Sequence, residues 1–336
     1  MPKNLSSDLI AFAQAVPGQM PGWSAQVHTL TKPNAFRAQL WDQLVLDGLL
    51  KDSAVTDIVV LTGPDHDRFI AVPGDAALLL GALRPPDPTE TLDITHLTAP
   101  TLKGLDPDPV RAVADVKEKY LPDYERSLRR IQIQALGKAA AGLARVTADW
   151  DDISGTLCDA AGWPIDDTVY ADGKVARDTA AWTHVETFLA HGPHVLAHIR
   201  STVTQRDFEC GPVSTDLRRI GMIDTTLEEA QRIQTEWEQV ISLMDGSLPG
   251  SRALYEDEAL EVRNSEGWHY ADELREQGPA LVRVAGHFAD RADAEHRAEN
   301  LRQAAALHRS APDAYTVPTA SPAVPPTSPP APRRGR

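Results

Sequence analysis

Cysteine is nearly absent from this chain: Cys158 and Cys210 are the two among 336 residues. They form no CxxC pair, which excludes a structural zinc site of the usual cysteine spacing. A chain of this length does not need a disulfide to hold its core, so both read as reduced thiols, one or both of them buried. Long apolar runs are missing as well. The stretch 75–83 is among the longest, far short of the ~20 residues that cross a bilayer. The opening MPKNLSSDLI has neither the basic n-region nor the long h-region of a secretory signal. These absences predict a cytoplasmic protein with no membrane partner. There is no GxxxxGKS/T or GxGxxG phosphate loop, and no HExxH, GxSxG or EF-hand signature. No cofactor is therefore expected from motifs. Basic charge is the scarcer sign: 33 Lys and Arg stand against 48 Asp and Glu, for a net charge of −15. Such a surface repels a phosphate backbone, which makes nucleic acid a poor partner.

What is present predicts an α+β protein, mostly helical. Residues 1–20 carry an amphipathic helix from Leu5 to Val16. Residues 21–98 read as an α+β domain. Trp23 to Leu30 alternates as a strand does, Pro33 opens a helix with Phe36, Leu40 and Leu44 on one face, and 57–62 and 68–72 are β-branched runs. Asp75 then caps a short helix to Leu83, and 92–97 supplies a last strand. That β-α-β-β-α-β order is the order of a ferredoxin-like plait. Residues 84–109, rich in Pro and Asp, form a connector overlapping the end of this domain.

A helical domain is expected over 110–250. Pro122 should split its first run in two, Gly155 to Asp178 should be looser with a turn at Asp172-Gly173, and Gly192-Pro193 should interrupt the helix that follows. Thr225 or Thr226 should cap a further helix that ends at Asp245-Gly246. Residues 251–317 read as a small α+β domain, with strands at 260–264, 280–284 and 314–317 and a charged helix ending near His308. The segment 318–336 is Pro-rich, cannot bury a core, and is expected to be a disordered tail ending in Arg333-Arg334-Gly335-Arg336. Such a basic end suits either no role or docking to an acidic surface.

Among chemistry-bearing residues the sharpest group is His184, His191, His194 and His198. His194 and His198 stand i, i+4, a spacing at which two neutral imidazoles can ligate one divalent metal, with Asp178 or Glu186 as a carboxylate donor. The bland alternative is a set of helix residues around a loop. Asp65-His66-Asp67 reads as turn chemistry before it reads as a cation site. Arg126, Arg129 and Arg130 form a basic helix face, a solvated surface or the anchor for an acidic ligand. Trp150, Trp163 and Trp182, and likewise Tyr255, Trp268 and Tyr270, read as helical core. With no catalytic signature, the expected function is that of a non-enzymatic accessory protein working through a protein partner or self-association. The alternatives are a metal-dependent enzyme or sensor built on the histidines, and a weak nucleic-acid binder built on the arginines.

Three stretches carry a family resemblance: Trp150-Asp-Asp-Ile-Ser154, Asp159-Ala-Ala-Gly-Trp163, and Ala180 to Ala190 leading into Val195-Leu-Ala-His-Ile199. A Trp, an Asp/Gly turn, an Ala-rich helix and a second apolar helix in that order resemble the Ea22-like accessory proteins of phages and prophages. The resemblance covers about residues 145–200 and implies mobile-element ancestry. It carries no catalytic residue.

Overall fold

The computed structural model describes residues 5–30, 34–37, 39–41, 50, 55–64, 67–74, 77–85, 89, 92, 103–243 and 251–310. The chain divides into two compact units, 1–291 and 292–336.

The first unit opens with α1 (Leu5–Gln19) and β1 (Ser24–Thr29), followed by the short α2 (Asn34–Arg37). Then come β2 (Asp57–Thr62), β3 (Arg68–Pro73), β4 (Leu78–Ala82) and the two-residue β5 (Lys103–Gly104). The strands lie in sequence order, every neighbouring pair antiparallel. This meander replaces the expected ferredoxin-like plait. The predicted second helix, 75–83, is in its described part strand β4, with Phe69 opposite Ala82 and Val72 opposite Leu79. Only four residues separate β3 from β4, too few for a crossover helix, and pairing with β3 overrides the helix preference of Ala and Leu. The strand expected at 92–97 and the turn residues Asp65 and His66 lie outside the described residues.

Alternation along the strands builds two cores. Val59, Leu61, Phe69, Ala71 and Leu80 face α1, where Leu9, Phe12 and Val16 are buried. Ile58, Val60, Ile70 and Val72 form the other face, with Leu40, Leu50 and Leu83. A sheet buried on both faces reads as near-continuous apolar runs, which is what 57–62 and 68–73 are.

Asp108 caps the next helical run, its carboxylate accepting from the backbone N–H of Val110 at 2.8 Å. The run comprises α3 (Pro109–Asp115), a π-helical turn (Val116–Tyr120) and α4 (Leu121–Ser154). Pro122 does not split it. The proline sits in the first turn of α4, and the π-turn just before it adjusts the hydrogen-bond register that a ring without N–H would break. Tyr120 and Tyr124 close over the sheet, both edge-on to Phe69.

Helix α5 (Asp167–Thr202) runs back along α4 and continues through both predicted breaks. A Cβ on Gly173 would meet the Trp150 ring at 3.0 Å, and one on Gly192 would meet Leu227 at 3.0 Å. Both glycines are close-packing positions inside a helix, not turn residues. After α6 (Gln205–Cys210) and α7 (Ser214–Arg219), α8 (Ile223–Leu243) begins before the predicted threonine cap. Thr226 is instead buried and donates to Glu273 at 2.7 Å. Asp245-Gly246 lies outside the described residues.

The largest departure is at the C-terminal side. Where strands were expected at 260–264 and 280–284, one helix, α9, spans Ser251–Ser310. Its buried positions Asn264, Gly267, Ala271, Leu274, Gly278, Leu281, Ala285 and Phe288 step by three and four in alternation. That is a heptad seam, and it outweighs the short alternation of Leu260-Glu-Val-Arg. The seam packs with α4, α5 and α8 into one core around Trp182, Phe188 and Leu274. In the second unit the described residues are the last part of α9, where Glu299 pairs with Arg302 at 2.6 Å and Leu301 is exposed. The expected strand at 314–317 and the Pro-rich tail lie outside the described residues. Among the described residues, no helix is long and apolar enough to cross a membrane.

Candidate functional site

The four histidines sit on α5, but they do not converge. His184, His191 and His198 stand seven residues apart, so their Cα atoms rise in steps of ~10 Å. A single ion cannot bridge that spacing. His191 is buried, His184 and His198 are half-buried, and His194 is exposed. His184 lies against the α4 backbone, where a Cβ on Gly142 would be 2.3 Å from its ring. Burial, with Arg145 nearby, pushes its pKa down. Burial, with Arg129 nearby, pushes His198 down to about 4. The carboxylates proposed as further ligands are engaged elsewhere. Asp178 pairs with Arg177 at 2.5 Å, and Glu186 stands 3.4 Å from Arg263. Among the described residues, no three His, Cys, Asp or Glu side chains gather to hold a metal ion.

The arginine face is likewise built into the fold. Arg126 pairs with Asp123, Arg130 donates to Asp290 of α9 at 2.6 Å, and Arg129 stands near His198. All three are half-buried. Neither cysteine is buried: Cys158 is half-buried and Cys210 exposed, both as free thiols.

A cleft of about 300 Å³ lies between α5 and α9, lined by Trp182, Glu186, Asp257, Glu261, Arg263 and Asn264 among others. Some of its polar groups pair with one another, while the buried Trp182 Nε1 makes no hydrogen bond. The Arg263 guanidinium lies over the Trp182 ring at 4.9 Å and donates to Asn264 at 2.8 Å, and Asn264 donates to Thr179 at 3.2 Å. Burial lowers the Arg263 pKa. Next to it Arg177 is held between Trp150 and Trp268, at 5.1 and 3.7 Å from their ring centres. The Asp178 carboxyl beside it is pushed up by burial, against the opposing pull of Arg177. This is a polar network that fixes α5 against α9.

The surface that stands out is the tip joining α4 to α5. Trp163 is 72% exposed and Ile165 71%, and Ile153 and Val169 at the adjoining helix ends are also exposed. Trp163 was expected in the core. It lies in a bridged turn, Cys158 opposite Pro164, whose outward side has nothing packed over it. The turn is tightly built. The Asp159 carboxylate accepts from the N–H groups of Ala161 at 2.8 Å and Trp163 at 3.0 Å. The Asp159 N–H donates to the Trp163 carbonyl at 2.7 Å, and the Ile165 N–H to the Leu157 carbonyl at 2.8 Å. Gly162 takes φ +85°, which an L side chain adopts only with strain. Asp166 then caps α5 through the N–H of Thr168 at 2.9 Å. Beneath the tip, Trp150 packs on Tyr170, their ring centres 5.4 Å apart.

Between Val146 and Gly173 the chain has seven aspartates and no Lys, Arg or His. These are Asp149, Asp151, Asp152, Asp159, Asp166, Asp167 and Asp172, all exposed. The tip thus combines exposed apolar side chains with seven exposed aspartates along a stretch bounded by Arg145 and Lys174. Sequence reasoning missed it, although the run of acids without a single base was visible. Comparison with protein-family models, with curated proteins and with solved structures finds no match to this chain.

Proposed function

We propose that the chain is a non-enzymatic accessory protein that works by binding a protein partner, with the α4–α5 tip as its contact surface. The observation that carries this reading is Trp163 and Ile165, large apolar side chains held in water by a turn built from several hydrogen bonds. Exposed aromatic groups on a preorganised element are the usual anchors of protein interfaces. Trp in particular is enriched among the residues that dominate binding energy. The segment that resembles the Ea22-like group spans this hairpin, and mobile-element ancestry belongs to the same proposal.

The test is a photo-crosslinker, p-benzoylphenylalanine, placed at position 163 and, as a control, at the exposed position 144 on α4. In cells that make the protein, position 163 is expected to give one dominant protein adduct and position 144 none. Equal, diffuse labelling at both positions, or none at either, would overturn the reading.

A further inference from the structure

We infer that the partner presents a basic amphipathic helix, whose apolar side meets Trp163 and Ile165 and whose Lys and Arg side chains meet the exposed aspartates of the two helix ends. This rests on the reading of the tip as a contact surface and adds the chemistry of what it contacts.

Charge complementarity is the main ground. Seven carboxylates and no base lie within 146–173. Two of them, Asp159 and Asp166, are turned onto backbone N–H groups. Asp149, Asp151, Asp152, Asp167 and Asp172 remain exposed. Asp151 and Asp152 stand in the last turn of α4, where the helix dipole disfavours negative charge. Their placement opposes the local stability of the helix, whereas a cationic partner would find them useful. An acidic or neutral partner would meet repulsion or gain nothing from these groups, and an anionic membrane surface would be repelled.

The apolar part is the second ground. Ile153, Trp163, Ile165 and Val169 belong to one turn and the two helix ends that it joins. An amphipathic helix pairs apolar anchors with charged flanks, the combination that the apolar side chains and aspartates here would match. The tip is held by its own hydrogen bonds before a partner arrives, so little ordering is required of this side.

The experiment uses the full chain and three synthetic amphipathic helices of about 15 residues, built from Lys/Leu, Gln/Leu and Glu/Leu with the same leucine pattern. Binding is followed by peptide fluorescence anisotropy for the parent and for the Trp163→Ser/Ile165→Ser double variant, whose fold is checked by circular dichroism. The Lys/Leu peptide is expected to bind about tenfold or more tightly than the Gln/Leu peptide. Raising the salt should weaken it, and the double variant should lose about tenfold. Equal binding of the Lys/Leu and Gln/Leu peptides, lost in the variant, would overturn the basic partner and leave the tip as a contact surface. Salt-sensitive Lys/Leu binding that the variant keeps would reduce the effect to net charge and overturn both. A concentration-dependent dimer of the parent in sedimentation, lost in the variant, would make a second copy the occupant and also overturn the basic partner.

Discussion

Two glycines on one helix should respond to the same substitution with opposite signs. Gly267 and Gly286 both lie within α9, so Gly→Ala adds the same intrinsic helix preference at each, about 1 kcal/mol in favour of folding. What the new methyl group meets differs. At Gly286 nothing lies within 4 Å, so the gain is kept. At Gly267 a Cβ would fall 2.0 Å from Trp182 Cζ3 and 2.6 Å from Cε3. Carbon atoms rest about 3.5–4.0 Å apart, so the ring or the helix must move by more than 1 Å. Trp182 is 2% exposed and carries Arg263 on its ring, so it has little room to give way. Overpacking of this kind costs about 1–3 kcal/mol, more where nothing relaxes. Gly286→Ala is therefore expected to raise the urea midpoint by the equivalent of about 0.5–1 kcal/mol. Gly267→Ala should lower it by up to about 2 kcal/mol after the helix gain is subtracted. Gly278→Ala should fall between them, because the atom it meets, Phe188 Cζ at 2.6 Å, is the far end of a ring. Comparison of midpoints among variants avoids extrapolation to water. If Gly267→Ala stabilised as much as Gly286→Ala, the close approach of α9 to α5 would be refuted.

The histidine row predicts an acid limb in stability. In the fold His198 has its pKa pushed down to about 4, against about 6.5 in an unfolded chain. Protons therefore bind the unfolded state more readily. The stability is present in full above about pH 6.5 and is lost as pH falls toward 4, by at most about 3 kcal/mol, and by about 1–2 kcal/mol given its partial exposure. His184 shifts in the same direction and adds to the effect. His198→Gln should flatten the decline in melting temperature between pH 7 and 5, and an unchanged decline would assign the acid limb elsewhere. Arg177→Ala strands the buried Asp178 carboxylate and removes the cation held between Trp150 and Trp268, so it should destabilise by about 3–5 kcal/mol in urea melts. Arg177→Ala/Asp178→Asn should recover part of that loss, and no recovery would show that stacking, not charge, holds the site.

The helical class was legible because most apolar stripes recur every three or four residues, as in Tyr124, Leu128 and Ile131 of α4. Strands β1 to β3 were legible from alternation and β-branched runs. The failures have a common cause. Gly and Pro were read as local punctuation at 172–173 and 192–193, and Pro279 likewise sits inside α9. In each case tertiary packing holds the helix through a residue with poor intrinsic preference. Gly267 and Gly278 make the point most clearly: they lie on the seam because larger residues would not fit against Trp182 and Phe188. The short pattern at 260–264 suited a strand, and only a window longer than four heptad steps separates the two readings. The spacing of seven that keeps His184, His191 and His198 apart was present in the sequence. A helix break assumed at Gly192 left the spacing of His191 to His198 undefined.

The tip departs from local rules at several neighbouring residues. An aspartate in the last turn of a helix is disfavoured by about 0.3–1 kcal/mol, and α4 ends with Asp149, Asp151 and Asp152. An exposed Trp gives up the burial that makes such a side chain useful to a core, about 25 cal/mol for each Å² left in water. Asp159, by contrast, follows the local rules, accepting two backbone N–H groups and so holding the turn that keeps Trp163 outside. A segment selected only for folding would bury the Trp, place a Lys at the end of α4, and leave the turn loose. Here the unfavourable choices and the hydrogen bonds that enforce them occur within the same residues, 149–167. On the proposed reading their compensation comes from a partner, and opposite charge with an apolar face is the chemistry that would supply it.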